Sequence, residues 1–200
     1  MHLRHFKDIE YREIKRNVKY VRIEVKWPYE VYVVGDSPES MSNYLCKKYN
    51  WVKRKMQYLR GVYKSATIKK NHMPYFGRWY PKEDFKRRKG DFRKPLKIYA
   101  EAYAQRLGED RKIKIKKMIT KHASCNSGTI YISQYLSMLP KNLIEYVIFH
   151  EHVHKYEKSH NAKFWNIIER KYPDYQKYEG DLAVWWGRVR KVLNGCCVKI

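Results

Sequence analysis

Two hundred residues with 44% apolar side chains can build one buried core, or one domain with an elaborated insertion. No apolar run approaches the roughly 18 residues of a spanning helix. The opening "MHLRHFKDIEYREIKR" is charged throughout, so neither a membrane span nor a signal peptide is expected and the chain reads as soluble and cytoplasmic. Forty-four Lys and Arg against twenty Asp and Glu leave +24, far beyond what solubility requires, and such a field recruits polyanions: DNA, RNA, a nucleotide or an anionic membrane surface.

In chain order, "YREIKR", "KYVRIEVK" and "YEVYVV" alternate apolar with charged residues and predict a small antiparallel sheet with one wet face. Val21, Ile23 and Val25 share one face of the second strand. Ser37 is an expected N-cap and Pro38 the first residue of an amphipathic helix over 38–60. Met41, Leu45, Val52, Met56 and Leu59 form its stripe, and Gly61 is expected to end it.

Residues 61–94 hold eleven Lys and Arg against three acids, a net +8 that more than doubles the charge density of the remainder. Tyr63, Tyr75, Phe76, Trp79, Tyr80, Phe85 and Phe92 are spaced among the cations. That mixture suits a nucleic-acid strand, with cations on phosphates and rings under bases. Lys86, Arg87, Arg88 and Lys89, with Trp79, are the candidate contacts. The alternative is a partly ordered loop whose aromatics pack on the domain.

"PLKIYAEAYAQRLG" predicts a helix with Gly108 as its stop. "RKIKIKKMI" and "GTIYIS" predict strands, and Asn126-Ser127-Gly128 marks a turn. The four cysteines, Cys46, Cys125, Cys196 and Cys197, have neither zinc-ribbon spacing nor an evident disulfide framework and read as reduced thiols.

Pro140 opens the most informative segment, in which His150, Glu151 and His154 form an H-E-x-x-H motif. On a helix, residues four apart share a face, so two imidazoles can hold one metal ion with the carboxylate beside them. Catalytic zinc takes three protein ligands, and His160, expected just after an N-cap at Ser159, is the third candidate. Leu143 and Val147 continue the stripe of His150 and His154 toward the core. A rival reading makes the segment a strand, on which His150, His152 and His154 would all point one way.

Together, "KMITKHASCNSGTIYIS", "LPKNLIEYVIFHEHVHKYEKSHNAKFW" and "KYPDYQKYEGDLAVWW" resemble the YgjP-like metallopeptidase domain, a zincin family alongside the SprT and WLM groups. Ser124-Cys125, Pro140, His150, Glu151, His154, His160, Phe164-Trp165 and Pro173-Asp174-Tyr175 follow the family's order of motifs. Three features depart from it. His122-Ala123 replaces a usual Trp-Gly, which makes His122 a possible additional site group; His152 stands where an apolar residue is usual; and residues 61–94 are longer and more basic than the family's connection. Metzincins share the three-histidine spacing but carry Gly where Glu157 stands.

The resemblance implies an α+β zincin-like fold and zinc-dependent peptide-bond hydrolysis. His150, His154 and His160 would bind Zn²⁺ as neutral imidazoles, and Glu151 would take a proton from the attacking water and return it to the leaving group. No oxyanion stabiliser stands out; His122 and several tyrosines are candidates. The SprT and WLM groups are associated with proteins on DNA, so nucleic-acid-associated polypeptides are expected substrates. Two other functions stay open: a zinc-dependent nucleotide (NTP) pyrophosphatase, and a nucleic-acid-binding module whose structural zinc has a fourth ligand such as Cys125. The expected organisation is 1–60 (strands and helix), 61–94 (basic insertion) and 95–200 (zinc-binding region), with 1–60 and 95–200 in one domain.

Overall fold

Period-two alternation folds the N-terminal residues into four strands: β1 (His2–Phe6), β2 (Ile9–Lys15), β3 (Arg22–Lys26) and β4 (Glu30–Gly35). The structure, a computed structural model, describes residues 2–88, 92–126 and 128–195, without the side chains of 86–88. It divides into two units, Met1–Ser65 and Ala66–Ile200.

In the first unit the strand order is β1-β2-β4-β3, and β2 pairs with β4 in parallel, Tyr11 opposite Val31. The expected purely antiparallel sheet is therefore corrected to a mixed one. Ile9 and Tyr11 of β2 and Val31, Val33 and Val34 of β4 are buried, so these two strands take the centre. The hairpin partner β3, with Arg22 and Lys26 exposed, takes the edge. Because β3 intervenes in the chain, β2 and β4 run the same way.

Helix α1 (Pro38–Ser65) lays Met41, Leu45, Val52 and Met56 into the same core as this sheet. It starts as expected, the Ser37 Oγ accepting the Ser40 N–H at 3.2 Å. It does not stop at Gly61. A mid-helix glycine costs only about 1 kcal/mol, and Val62 extends the buried stripe one turn further.

The second unit opens with a hairpin, β5 (His72–Tyr75) and β6 (Arg78–Pro81), followed by α2 (Lys82–Arg88). Its rings pack on each other: Tyr75 lies 4.7 Å from Phe76, 6.3 Å from Phe85 and 5.5 Å from Phe92. Helix α3 (Arg93–Arg106) buries Leu96, Ala100, Tyr103 and Ala104 and ends at Gly108, whose φ of +68° is the left-handed stop that glycine adopts without strain. A three-stranded sheet follows in the order β7 (Lys112–Lys116), β9 (Thr129–Ser133), β8 (Ala123–Asn126). Edge strand β8, "ASCN", has no apolar alternation to announce it.

After a 3-10 turn at Gln134–Met138 come α4 (Lys141–Val153), α5 (Ala162–Lys171) and α6 (Tyr175–Asn194). Helix α4 is buried on nearly every side, through Leu143, Ile144, Tyr146, Val147, Ile148 and Phe149. Its neighbours in the core are Leu96 and Ala100 of α3, Ile130 and Ile132 of β9, Phe164 and Ile168 of α5, and Leu182 and Trp186 of α6. The fold is α+β. No described helix is long and apolar enough to cross a membrane.

Candidate metal centre

Segment 141–153 is a helix, which sets aside the strand reading of the three alternating histidines. His150 sits in its last turn and His154 is its C-cap, one turn further along the same face. His160 arrives by a different route from the one expected. Ser159 caps nothing; the Asn161 Oδ1 accepts the Phe164 N–H at 3.1 Å, α5 begins at Ala162, and His160 stands in the turn before it.

That turn brings the three imidazoles together. Their candidate ligand atoms all lie within 4.8 Å of one another. The ring centroids form a near-equilateral triangle, 5.1 Å from His150 to His154, 4.9 Å from His150 to His160 and 4.8 Å from His154 to His160. Phe164, fully buried, is the floor beneath it, its ring 4.8, 4.7 and 4.7 Å from those of His150, His154 and His160. Trp165 stacks on His160 and in turn on Tyr175, and its indole N–H donates to the His160 carbonyl at 3.1 Å.

The electrostatics suit a cation. The Nδ1 of His154 lies 3.0 Å from the Glu157 carbonyl, which can only accept, so Nδ1–H donates to it and Nε2 is the candidate ligand atom. Burial, helped by the neighbouring His154, His160 and His122 rings, holds His150 down at about 3, so it is neutral at physiological pH. Burial and then His154 lower His160 as well. The Nε2 atoms of His150 and His160 are 2.9 Å apart, a little closer than the roughly 3.4 Å between two nitrogens on tetrahedral zinc. Three imidazoles converging this closely fit one zinc-sized ion with a small adjustment.

Glu151 is 8% exposed. Burial raises its pKa, with His154, Arg111 and Lys121 opposing, which strengthens it as a proton acceptor.

A second buried cluster backs this face. His152 is 6% exposed, and its Nδ1–H donates to the Glu109 carboxylate at 2.8 Å. Arg111 donates to the same carboxylate from Nη2 at 2.5 Å and Nε at 2.8 Å. Its Nη2 also reaches the backbone carbonyl of Glu151 at 2.8 Å, and its Nη1 lies 3.2 Å from the Cys125 Sγ. Burial alone would raise Glu109; the Arg111 side chain and backbone N–H, with His152, outweigh it and hold the carboxyl down at about 2. Arg111 thus supplies a cation to carbonyls at the C-terminal end of α4, where the helix dipole favours one. His152 is a buried partner in this cluster, which makes the back of the helix polar. Glu109 and Arg111 give no signal in the sequence beyond a charged stretch after a helix stop.

The remaining sequence candidates are not among the three converging imidazoles. His122 packs edge-on to Trp186 at 4.4 Å, and its buried Nε2 has no hydrogen-bond partner among the described residues. Burial, then Arg190, hold it at about 4. Tyr146, buried, donates to Glu179 at 2.6 Å. Trp79 stacks on Trp185 at 6.4 Å. Lys89, Cys196 and Cys197 lie outside the described residues, as do the side chains of Lys86, Arg87 and Arg88.

The model of a protein family described as "YgjP-like, metallopeptidase domain" matches residues 84–184, the stretch that carries all three histidines and Glu151. No curated protein and no solved structure matches the chain.

Proposed function

The chain belongs to the YgjP-like family of metallopeptidase domains, and from that premise we propose that it is a zinc-dependent peptidase on a zincin-like fold. The observation that carries this reading is the convergence of His150, His154 and His160 next to a buried Glu151. A zinc ion bound there supplies a Lewis acid that polarises the scissile carbonyl and acidifies water. His150, His154 and His160 would hold it through ring nitrogens, and Glu151 would accept a proton from the attacking water and pass it to the departing amine. His160 is exposed while His150 and His154 are half-buried, so the cluster is reached from its His160 side.

Among the described residues the cluster has three ligands, which leaves a position for water and substrate, as catalytic sites require. A structural zinc would need a fourth. Cys125, the obvious donor, lies against Arg111.

The +24 charge supports a narrower substrate class: polypeptides already bound to DNA or RNA, which nucleic acid would concentrate near the enzyme as a tether does. The test compares the protein with its Glu151→Gln and His154→Ala forms. One zinc per chain is expected in the first two and none in His154→Ala, with turnover of denatured protein lost in both variants. DNA should accelerate cleavage of a basic DNA-binding substrate more than a neutral one, and the gain should vanish at high salt. Normal zinc in His154→Ala sinks the ligand assignment. Inhibition by DNA, together with Glu151-dependent release of diphosphate from nucleoside triphosphates, would instead identify a pyrophosphatase.

A further inference from the structure

The β5–β6 hairpin and α3 enclose an open groove of about 1000 Å³, within the second unit and distinct from the histidine cluster. Tyr75, Tyr80 and Tyr99 contribute rings to its wall, and Arg78, Lys94 and Lys141 contribute cations. None of the described residues that line it is acidic. Among the described residues, none of the three cations has a carboxylate within ion-pair distance. Glu145, beneath the groove wall, accepts the Tyr99 hydroxyl at 2.5 Å. Lys141 lies over the Tyr99 ring at 5.2 Å. The volume is at the top of the range of about 300–1,000 Å³ typical of small-ligand pockets, yet the groove is open, as suits a segment of a longer chain.

Rings and unpaired cations in one open groove, on a protein of net charge +24, match a strand that offers both flat faces and a regular series of negative charges. We propose that this groove is a binding site for single-stranded nucleic acid, with bases stacked on the tyrosines and phosphates on Arg78, Lys94 and Lys141. Duplex DNA hides its base faces and cannot use the rings. An acidic polypeptide could meet the cations but has no series of aromatic faces.

The groove is also fixed to the metal-binding helix. Phe76 donates its backbone N–H to the Ser137 carbonyl at 2.7 Å. Gly77, at φ +80°, passes so close to Pro140 that a Cβ would stand 2.9 Å from the Pro140 Cα. Lys141 is the first residue of α4 and His150 is nine residues on, about 14 Å along the helix axis. A strand held in the groove would therefore lie one short helix away from the histidine cluster. The inference deepens the nucleic-acid part of the proposed function and does not depend on the peptidase chemistry.

The experiment measures binding of fluorescein-labelled oligothymidylate to the full chain by anisotropy across a salt series. Combining Arg78→Glu, Lys94→Glu and Lys141→Glu should weaken binding and lower the slope of log affinity against log salt by about 2, three phosphate contacts at about 0.7 each. Lys47→Glu, Lys48→Glu and Lys55→Glu on α1 change the net charge equally and should leave most of the slope. An abasic strand of the same length and charge should bind roughly fivefold more weakly or worse, which needs no protein variant. Equal loss in the α1 control, or equal binding of the abasic strand, would overturn the proposal. Stronger competition by polyglutamate than by unlabelled oligothymidylate would show an acidic-peptide groove instead. If binding is lost in the groove variant but DNA never accelerates proteolysis, the groove stands and the substrate reading falls.

Discussion

Replacing Glu109 with Gln tests whether the buried cluster behind α4 holds that helix in place. The Glu109 side chain is 0% exposed, and its partners Arg111 and His152 are 12% and 8% exposed. Glutamine preserves the volume but removes the charge and turns an N–H donor toward groups that also donate. Two routes give the magnitude. Lowering the carboxyl from 4.5 to about 2 corresponds to roughly 3 kcal/mol of stability near neutral pH. Breaking one partner out of a buried ion pair costs about 3–5 kcal/mol. A loss of about 3 kcal/mol at pH 7 is therefore expected.

The pH dependence has a definite sign. Glu109 has its lower pKa in the folded state, so its contribution is complete above about 4.5 and is lost as pH falls through about 2. At pH 3 the gap between the native chain and Glu109→Gln should shrink to less than half. Urea unfolding followed by tryptophan fluorescence reads this out, since four of the six tryptophans, Trp79, Trp165, Trp185 and Trp186, lie in the second unit. A change below about 0.5 kcal/mol at pH 7, the scale of an ordinary surface substitution, would refute the reasoning. A gap that does not close on acidification would do the same.

Phe164→Ala removes the fully buried floor of the histidine triangle and should cost about 3–5 kcal/mol in the zinc-free protein, besides weakening zinc retention against a chelator; an unchanged urea midpoint would contradict that role. Gly77→Ala combines a left-handed backbone with a contact of 2.9 Å on Pro140 and should destabilise by at least about 1–2 kcal/mol, seen as a lower melting temperature. Reversing Lys86, Arg87, Arg88 and Lys89 together should lower the salt slope of duplex binding by about 3 to 4. An unchanged slope would move that footprint elsewhere, for instance to the outer face of α1.

What the sequence determined by itself was local. Helical spacing four residues apart put His150 and His154 on one face, because 3.6 residues per turn is a property of the backbone and not of the surroundings. Ser37 and Gly108 marked a helix start and a helix stop through contacts made within a few residues. Where two local signals competed, tertiary packing decided. Ser159 and Asn161 are both good N-caps, and the helix that buries Phe164 beneath the imidazoles begins at the second. Gly61 is a weak stop, and a buried Val62 overrode it. The long-range pairings left no pattern to read. The parallel match of β2 with β4, the bond from His152 to Glu109 across 43 positions and the reach of Arg111 to the Glu151 carbonyl across 40 join segments whose separation in the chain carries no information about their distance in space. The aromatics of the basic segment make the same point. Their spacing in sequence suited a row of bases, but only the fold decided that Trp79 stacks on Trp185 while Tyr75 and Tyr80 line a groove, because burying a ring against the core competes with offering it to a ligand.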